Sequence, residues 1–293
     1  MTDIGKRSIG SWVQFLSSRK NPVMRQTARS LEEARKRIDR VNGREVTEIV
    51  MRDPLMAVRV LAYVRPFHAK RQMKEVTTVE HAVMMLGVEP FFRHFENLEV
   101  VEDLLKGHPQ SMMGLLFIIR RAQRAARYAF EWAVWRRCTH IEEVAISALL
   151  YDLAEILMWC FAPQQSSQIL EMQKADSTLR SVVAQEQIFG FRLTDLQHML
   201  CKTWQLPELL LSQFNPEHSE NPNFQNVKLA VDLARHSAHG WENAALPDDF
   251  AAIEKLLNIN REALLFRLGL RKPGAAEAVP DLPAHISDPK SAV

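Results

Sequence analysis

Glycine is scarce in this chain, with 10 among 293 residues. Apolar and polar residues rarely alternate at period two, so the local signals of strands are missing and the chain reads as all-α. Cysteine is nearly absent. Cys138, Cys160 and Cys201 are isolated, odd in number and without a CxxC pair, which argues against a disulfide framework or a structural zinc site. Reduced thiols suit the cytoplasm, where the chain is expected to reside. Strong charge of one sign is also lacking: 37 Lys and Arg stand against 35 Asp and Glu, a formal +2. The molecule as a whole is therefore not a strongly basic nucleic-acid binder. No apolar h-region follows Lys6 and Arg7, so no signal peptide is expected. No window is expected to span a membrane either; the best, around Met112 to Ile119, is short and runs into arginines. Also missing are a GxGxxG run, a P-loop, and a Ser, Cys or Lys nucleophile beside a recognisable base and orienter. What remains is an ordinary globular mixture, 47% hydrophobic and 25% charged, long enough for one large domain or two modest ones.

The most informative stretch is Ile146–Phe161, which reads as a buried helix. Thr139 and Glu142 stand at capping-box spacing ahead of it. At about 100° per residue, Ala145, Ala148, Leu149, Ile156, Trp159 and Cys160 share one face. Asp152 falls in the middle of that face. A carboxylate there is costly unless it is paired, hydrogen-bonded or bound to a metal.

Residues 1–45 are basic, which is read first as a solvated helical face flanking a domain and second as a patch for an acidic partner or nucleic acid; no aromatics interleave after Phe15, as single-strand binding would favour. Asp53 and Pro54 predict an N-cap and N1 residue for a helix with Leu55, Val58, Leu61 and Ala62 on its apolar stripe. Thr77 and Glu80 form a second box, opening a helix that stops at Gly87. Gly107-His108-Pro109 predicts a turn. A long helix then runs from about Ser111 to Arg136, its core face drawn from Leu115, Leu116, Ile119, Ala122, Ala126, Ala129, Phe130 and Ala133. Pro163 to Ser167 predict a turn. Helices are expected over 169–174, 182–190, 191–206, 207–214 and 223–236, and over 248–257 and 260–268 with Asp248 and Asn260 as caps. The tail from Lys272, rich in proline, is expected to be disordered.

Several of these segments carry a family resemblance. Ala148-Leu-Leu-Tyr-Asp-Leu-Ala-Glu-Ile-Leu157 is similar to the GLLHDIGKLLL segment of HD-superfamily phosphohydrolases. Asp53-Pro54-Leu55 with Val58 and Leu61, then Val79, Ala82, Leu86 and Gly87, then Glu186, Phe189, Gly190 and Trp204-Gln-Leu-Pro-Glu208 resemble the pattern of HDOD domains. These are helical output modules of bacterial signalling proteins. The resemblance covers roughly residues 25–270. It implies an all-α, HD-domain-like fold with an N-terminal helical subdomain over 1–110, an HD-like core over 111–270 and a tail over 271–293.

In HD enzymes the resemblance implies metal ligands where this chain has Arg120 or Arg121, Tyr151, Asp152, Leu193, His218, and Val231 or Asp232. Guanidinium cannot ligate a cation, and Asp152 with His218 makes a poor divalent site. Asp152 is instead expected to pair with Arg120, Arg121 or Arg124 of the preceding helix. The ligand-binding candidates in this degenerate pocket are Arg120, Arg121, Arg124, Tyr151, Asp152, His218 and Asp232. No catalytic residue, metal or cofactor is expected. The implied role is a non-catalytic signalling or regulatory module that binds a protein partner or a small ligand. The alternative is a divergent metal-dependent phosphohydrolase acting on a nucleotide or cyclic dinucleotide. Nucleic-acid binding by residues 1–45 is the third reading; neither nucleic acid nor membrane is the expected partner.

Overall fold

In a computed structural model the chain is described over residues 7–71 (backbone alone for 65–71), 76–176, 178–213, 217 and 219–270. Residues 1–6 of the basic segment, His218 and the tail 271–293 lie outside the described residues. Helices make up the described chain, and its one extended pairing is an isolated bridge between Val23 and Val100.

The N-terminal half holds α1 (Ile9–Ser17), α2 (Arg25–Arg35), α3 (Gly43–Val50), α4 (Pro54–Arg71), α5 (Val79–Leu86), α6 (Val88–His94) and α7 (Val101–Leu104). Their ends follow side-chain caps. Asn42 accepts from the Glu45 N–H at the start of α3. Asp53, fully buried, caps α4 by accepting from Leu55 N at 2.9 Å and ties in α2 by accepting from Met24 N at 2.8 Å. Desolvation pushes the Asp53 carboxyl up against these hydrogen bonds. The expected cap of α5 shifts by one residue: Thr78, not Thr77, accepts from the His81 N–H. Gly87 at φ 79° ends α5 and opens α6 in one residue, a conformation costly for any residue with a Cβ.

The second half is built on α8 (Pro109–Trp135), followed by α9 (Ile141–Leu149), α10 (Leu153–Phe161), α11 (Pro163–Ala175), α12 (Ser181–Phe189), α13 (Leu193–Thr203), α14 (Glu208–Ser212), α15 (Pro222–His236), α16 (Leu246–Leu257) and α17 (Arg261–Arg267). α8 packs along α9 and α15, and α1 reaches across to α13, where Trp204 Nε1 donates to Ser17 Oγ at 3.0 Å. Two buried cores result. The larger joins α1–α7 to the first half of α8, to α10 and to α13; the smaller lies among the second half of α8, α9 and α15–α17. Along α8 the change from one core to the other falls between Ala122 and Ala125.

Several local expectations are corrected. Phe130 is 45% exposed, because packing turns Ala125, Tyr128 and Trp132 inward instead. Pro163 is the first residue of α11, not part of a turn, since a proline at N1 has no N–H to lose. α16 begins at Leu246, two residues before Asp248. The Thr139–Glu142 box does not form, and α9 starts at Ile141 without a side-chain cap. Residues Ile141–Phe161 are, contrary to expectation, long and apolar enough to cross a membrane; 78% of the most apolar window is buried inside the protein.

Most important, the stretch read as one helix is two. α9 ends at Leu149 and α10 begins at Leu153. Gln197 of α13, itself buried, occupies the missing rung: its Nε2 donates to Leu150 O at 2.8 Å and its Oε1 accepts from Ala154 N at 2.6 Å. These are the two groups that would bond each other in an unbroken helix, and a side chain inserted into that ladder kinks it. The buried amide of Asn226 in α15 lies against Ala129 O and Ala133 N of α8 and can bond both in one of its two amide orientations, yet α8 stays continuous.

Candidate functional site

The break between α9 and α10 places Asp152 at its corner, with φ −99° and ψ 26°. Its side chain, 12% exposed, is held from two helices. Arg121 Nη2 of α8 donates to Oδ2 at 2.6 Å, and Arg235 Nη2 of α15 donates to Oδ1 at 3.1 Å. Arg121 is equally buried and donates from the same nitrogen to Glu155 Oε2 at 2.8 Å. Two guanidiniums therefore face two carboxylates.

Burial alone pushes the Asp152 carboxyl up, but the charges of Arg121 and Arg235 outweigh it and hold the group below the ordinary carboxylate range. Desolvation pulls Arg121 down, while Asp152 and Glu155 more than restore it. Tyr151, mostly buried beside the pair, is pushed up to about 12 by burial first, with the charges of Asp152 and Asp232 adding and Arg235 opposing. It is a neutral phenol at any physiological pH. One buried donor, Arg121 Nε, has no partner.

Of the arginines considered from sequence, Arg121 alone reaches Asp152. Arg120, about 100° further round α8, is exposed. Arg124 donates to the Ser237 carbonyl at the end of α15, at 3.4 Å. Asp232 stands one turn before Arg235, 3.9 Å from it, and pairs with Lys228 at 2.7 Å. Leu193, at the position of a family histidine, is buried apolar surface. Two members of the cluster, Glu155 and Arg235, are absent from the sequence reading. Each had a signal: Glu155 lies three residues after Asp152, and Arg235 lies three after Asp232, so each shares a helix face with a residue already singled out.

The HD resemblance implies a divalent cation here. Such an ion needs free carboxylate oxygens and neutral imidazoles converging on one point. Both oxygens of Asp152 already accept from guanidiniums, and among the described residues no group of three or more His, Cys, Asp and Glu converges. The residues present do not fit the ion.

In the basic N-terminal segment, Arg25, Arg35, Arg37 and Arg44 pair with Asp103, Glu32, Glu45 and Glu48. Arg7 and Arg19 stack on Phe15.

In sequence, residues 22–220 match the HDOD domain family, and no curated protein matches the chain. In structure, the chain is similar to the MmoQ response regulator from Methylococcus capsulatus str. Bath, with a TM-score of 0.65 at 16% identity over 87% of this chain and 99% of that one. It is also similar to a virulence factor from Campylobacter jejuni subsp. jejuni, with a TM-score of 0.63 at 17% identity over 90% and 94%. At such identities the likeness is one of fold.

Proposed function

The chain belongs to the HDOD domain family, and from that premise we propose that it is a non-catalytic signalling module that works by binding a partner protein. One observation carries this reading: the carboxylate that an HD enzyme would spend on its metal is held here by Arg121 and Arg235. Each guanidinium supplies positive charge at the place of the cation but has no exchangeable ligand position and cannot generate a hydroxide nucleophile. What the cluster can do is lock α8, α10 and α15 in register. A buried pair of this kind contributes little net stability, yet losing one side is expensive. That a protein of similar fold is a response regulator supports a regulatory role.

The test is metal analysis combined with a hydrolysis assay. Purified protein, as isolated and after incubation with manganese, is expected to hold well under one equivalent of metal and to leave bis(p-nitrophenyl) phosphate and cyclic dinucleotides intact. One equivalent of tightly bound metal, with turnover that disappears in Asp152→Asn, would establish the phosphohydrolase instead.

A further inference from the structure

The long helix α8 has a second face. Opposite its buried arc, residues recur at alternating spacings of three and four: Met113, Leu116, Arg120, Gln123, then Arg127, Phe130 and Val134. Met113 is 70% exposed, Phe130 45% and Val134 37%, while Leu116 is half-buried. Arg120, Gln123 and Arg127 are exposed. This spacing holds a stripe on one side of a helix and is the spacing by which one helix seats another. The stripe is apolar at both ends and cationic in the middle.

The middle is short of counter-charge. Arg120 has no ion-pair partner among the described residues, and Arg127 has Glu131 at 3.8 Å. Gln123 Nε2 donates to the Arg52 carbonyl at 2.6 Å. That bond brings the corner between α3 and α4 against the centre of the stripe, and with it Arg52, exposed and likewise without an ion-pair partner among the described residues.

We propose that this stripe is a docking seam for an amphipathic helix of a partner protein whose own seam runs apolar, acidic, apolar. The proposal rests on the non-catalytic reading above and gives its partner a chemistry. Arg120 and Arg52 without a carboxylate, and Arg127 with only Glu131 beside it, require acidic groups opposite them. Met113 and Leu116 at one end, and Phe130 and Val134 at the other, require aliphatic side chains at a helical interval, which nucleic acid does not offer. A second copy of this chain is a poor complement. Antiparallel pairing about Gln123 would match Phe130 with Leu116 but set Arg127 against Arg120 twice, like charge on like.

The test uses the full chain and two synthetic helical peptides with Leu at the outer seam positions and either Glu or Lys at the three central ones. Binding is read by fluorescence anisotropy at low and high salt. The Glu peptide should bind about tenfold or more tightly than the Lys peptide and weaken as salt rises. The doubly substituted Arg120→Glu, Arg127→Glu protein should reverse that preference while keeping its circular dichroism spectrum, since both positions are exposed. Equal affinity for the two peptides, no binding of either, or an unchanged preference in the charge-reversed protein would overturn the seam. So would duplex DNA binding, or a dimer in sedimentation, that the same substitutions abolish. A failed peptide titration removes the seam alone, whereas metal-dependent turnover removes the reading beneath it.

Discussion

Gly114 of α8 lies beneath the indole of Trp159 in α10: a β-carbon at 114 would come within 2.5 Å of Cη2 and 2.7 Å of Cζ2 and Cζ3. Trp159 is 5% exposed, so its ring is packed on its other sides as well. The two helices approach this closely because one residue in the second turn of α8 has no side chain.

Gly114→Ala is therefore expected to destabilise the protein although alanine is the better helix former. Overpacking against a buried ring costs about 1–3 kcal/mol, more than the roughly 1 kcal/mol gained in helix propensity. Urea unfolding measures the balance; a gain in stability would show that the contact does not hold in solution.

Asp152→Asn keeps the volume and removes the charge that Arg121 and Arg235 share. Breaking one side of a buried pair costs about 3–5 kcal/mol, and thermal melts should show that loss whether or not manganese is present. The pH dependence follows from the same contact. The folded carboxyl is held low, so its contribution is present above the ordinary carboxylate range and is lost as pH falls through the depressed value. Acid unfolding should begin at higher pH in the variant that cannot make this ion pair.

Gln197→Leu tests the break between α9 and α10. The substitution leaves Leu150 O and Ala154 N without the side chain that satisfies both, at a cost of about 1–3 kcal/mol for the buried groups. Relaxation into a continuous helix would recover that cost but carry Asp152 away from Arg235. A drop in stability, or helix continuity across 150–154 with a weakened Asp152–Arg235 contact by NMR, is the expected result. Unchanged stability together with an unchanged break would show that Gln197 does not make it.

Glu142 opposes Glu80 across the starts of α9 and α5, and partial burial first, then the hydrogen bond and charge of Glu80, hold its carboxyl up to about 7. The folded state then binds a proton that the unfolded state has released. Stability from this pair is present below the ordinary glutamate value and lost as pH rises toward 7. The melting temperature should therefore fall across that interval in the parent protein and fall less in Glu142→Gln. Parallel profiles for the two proteins would exclude the shared proton.

Much of the fold is determined by sequence alone, because caps and helical periodicity act within a few residues. Asp53-Pro54 starts α4, Gly87 stops α5, Gly190 in the left-handed region stops α12, and Asn260 caps α17. Ala145, Ala148, Leu149, Ile156, Trp159 and Cys160 are buried as expected, and the place of Asp152 among them calls for a partner; that the partner is an arginine of the preceding helix is what the family resemblance implies. Which arginine is decided by packing: neighbours on a helix point about 100° apart, so the phase of α8 against α10 sends Arg121 inward and Arg120 out. Gln197 acts on Leu150 and Ala154 from 47 and 43 residues away, and Arg235 reaches Asp152 from 83. Nothing in the local run 146–161, rich in good helix formers, calls for a break. The interruption exists because α13 lays a buried amide across one rung, and only the tertiary arrangement brings those residues together.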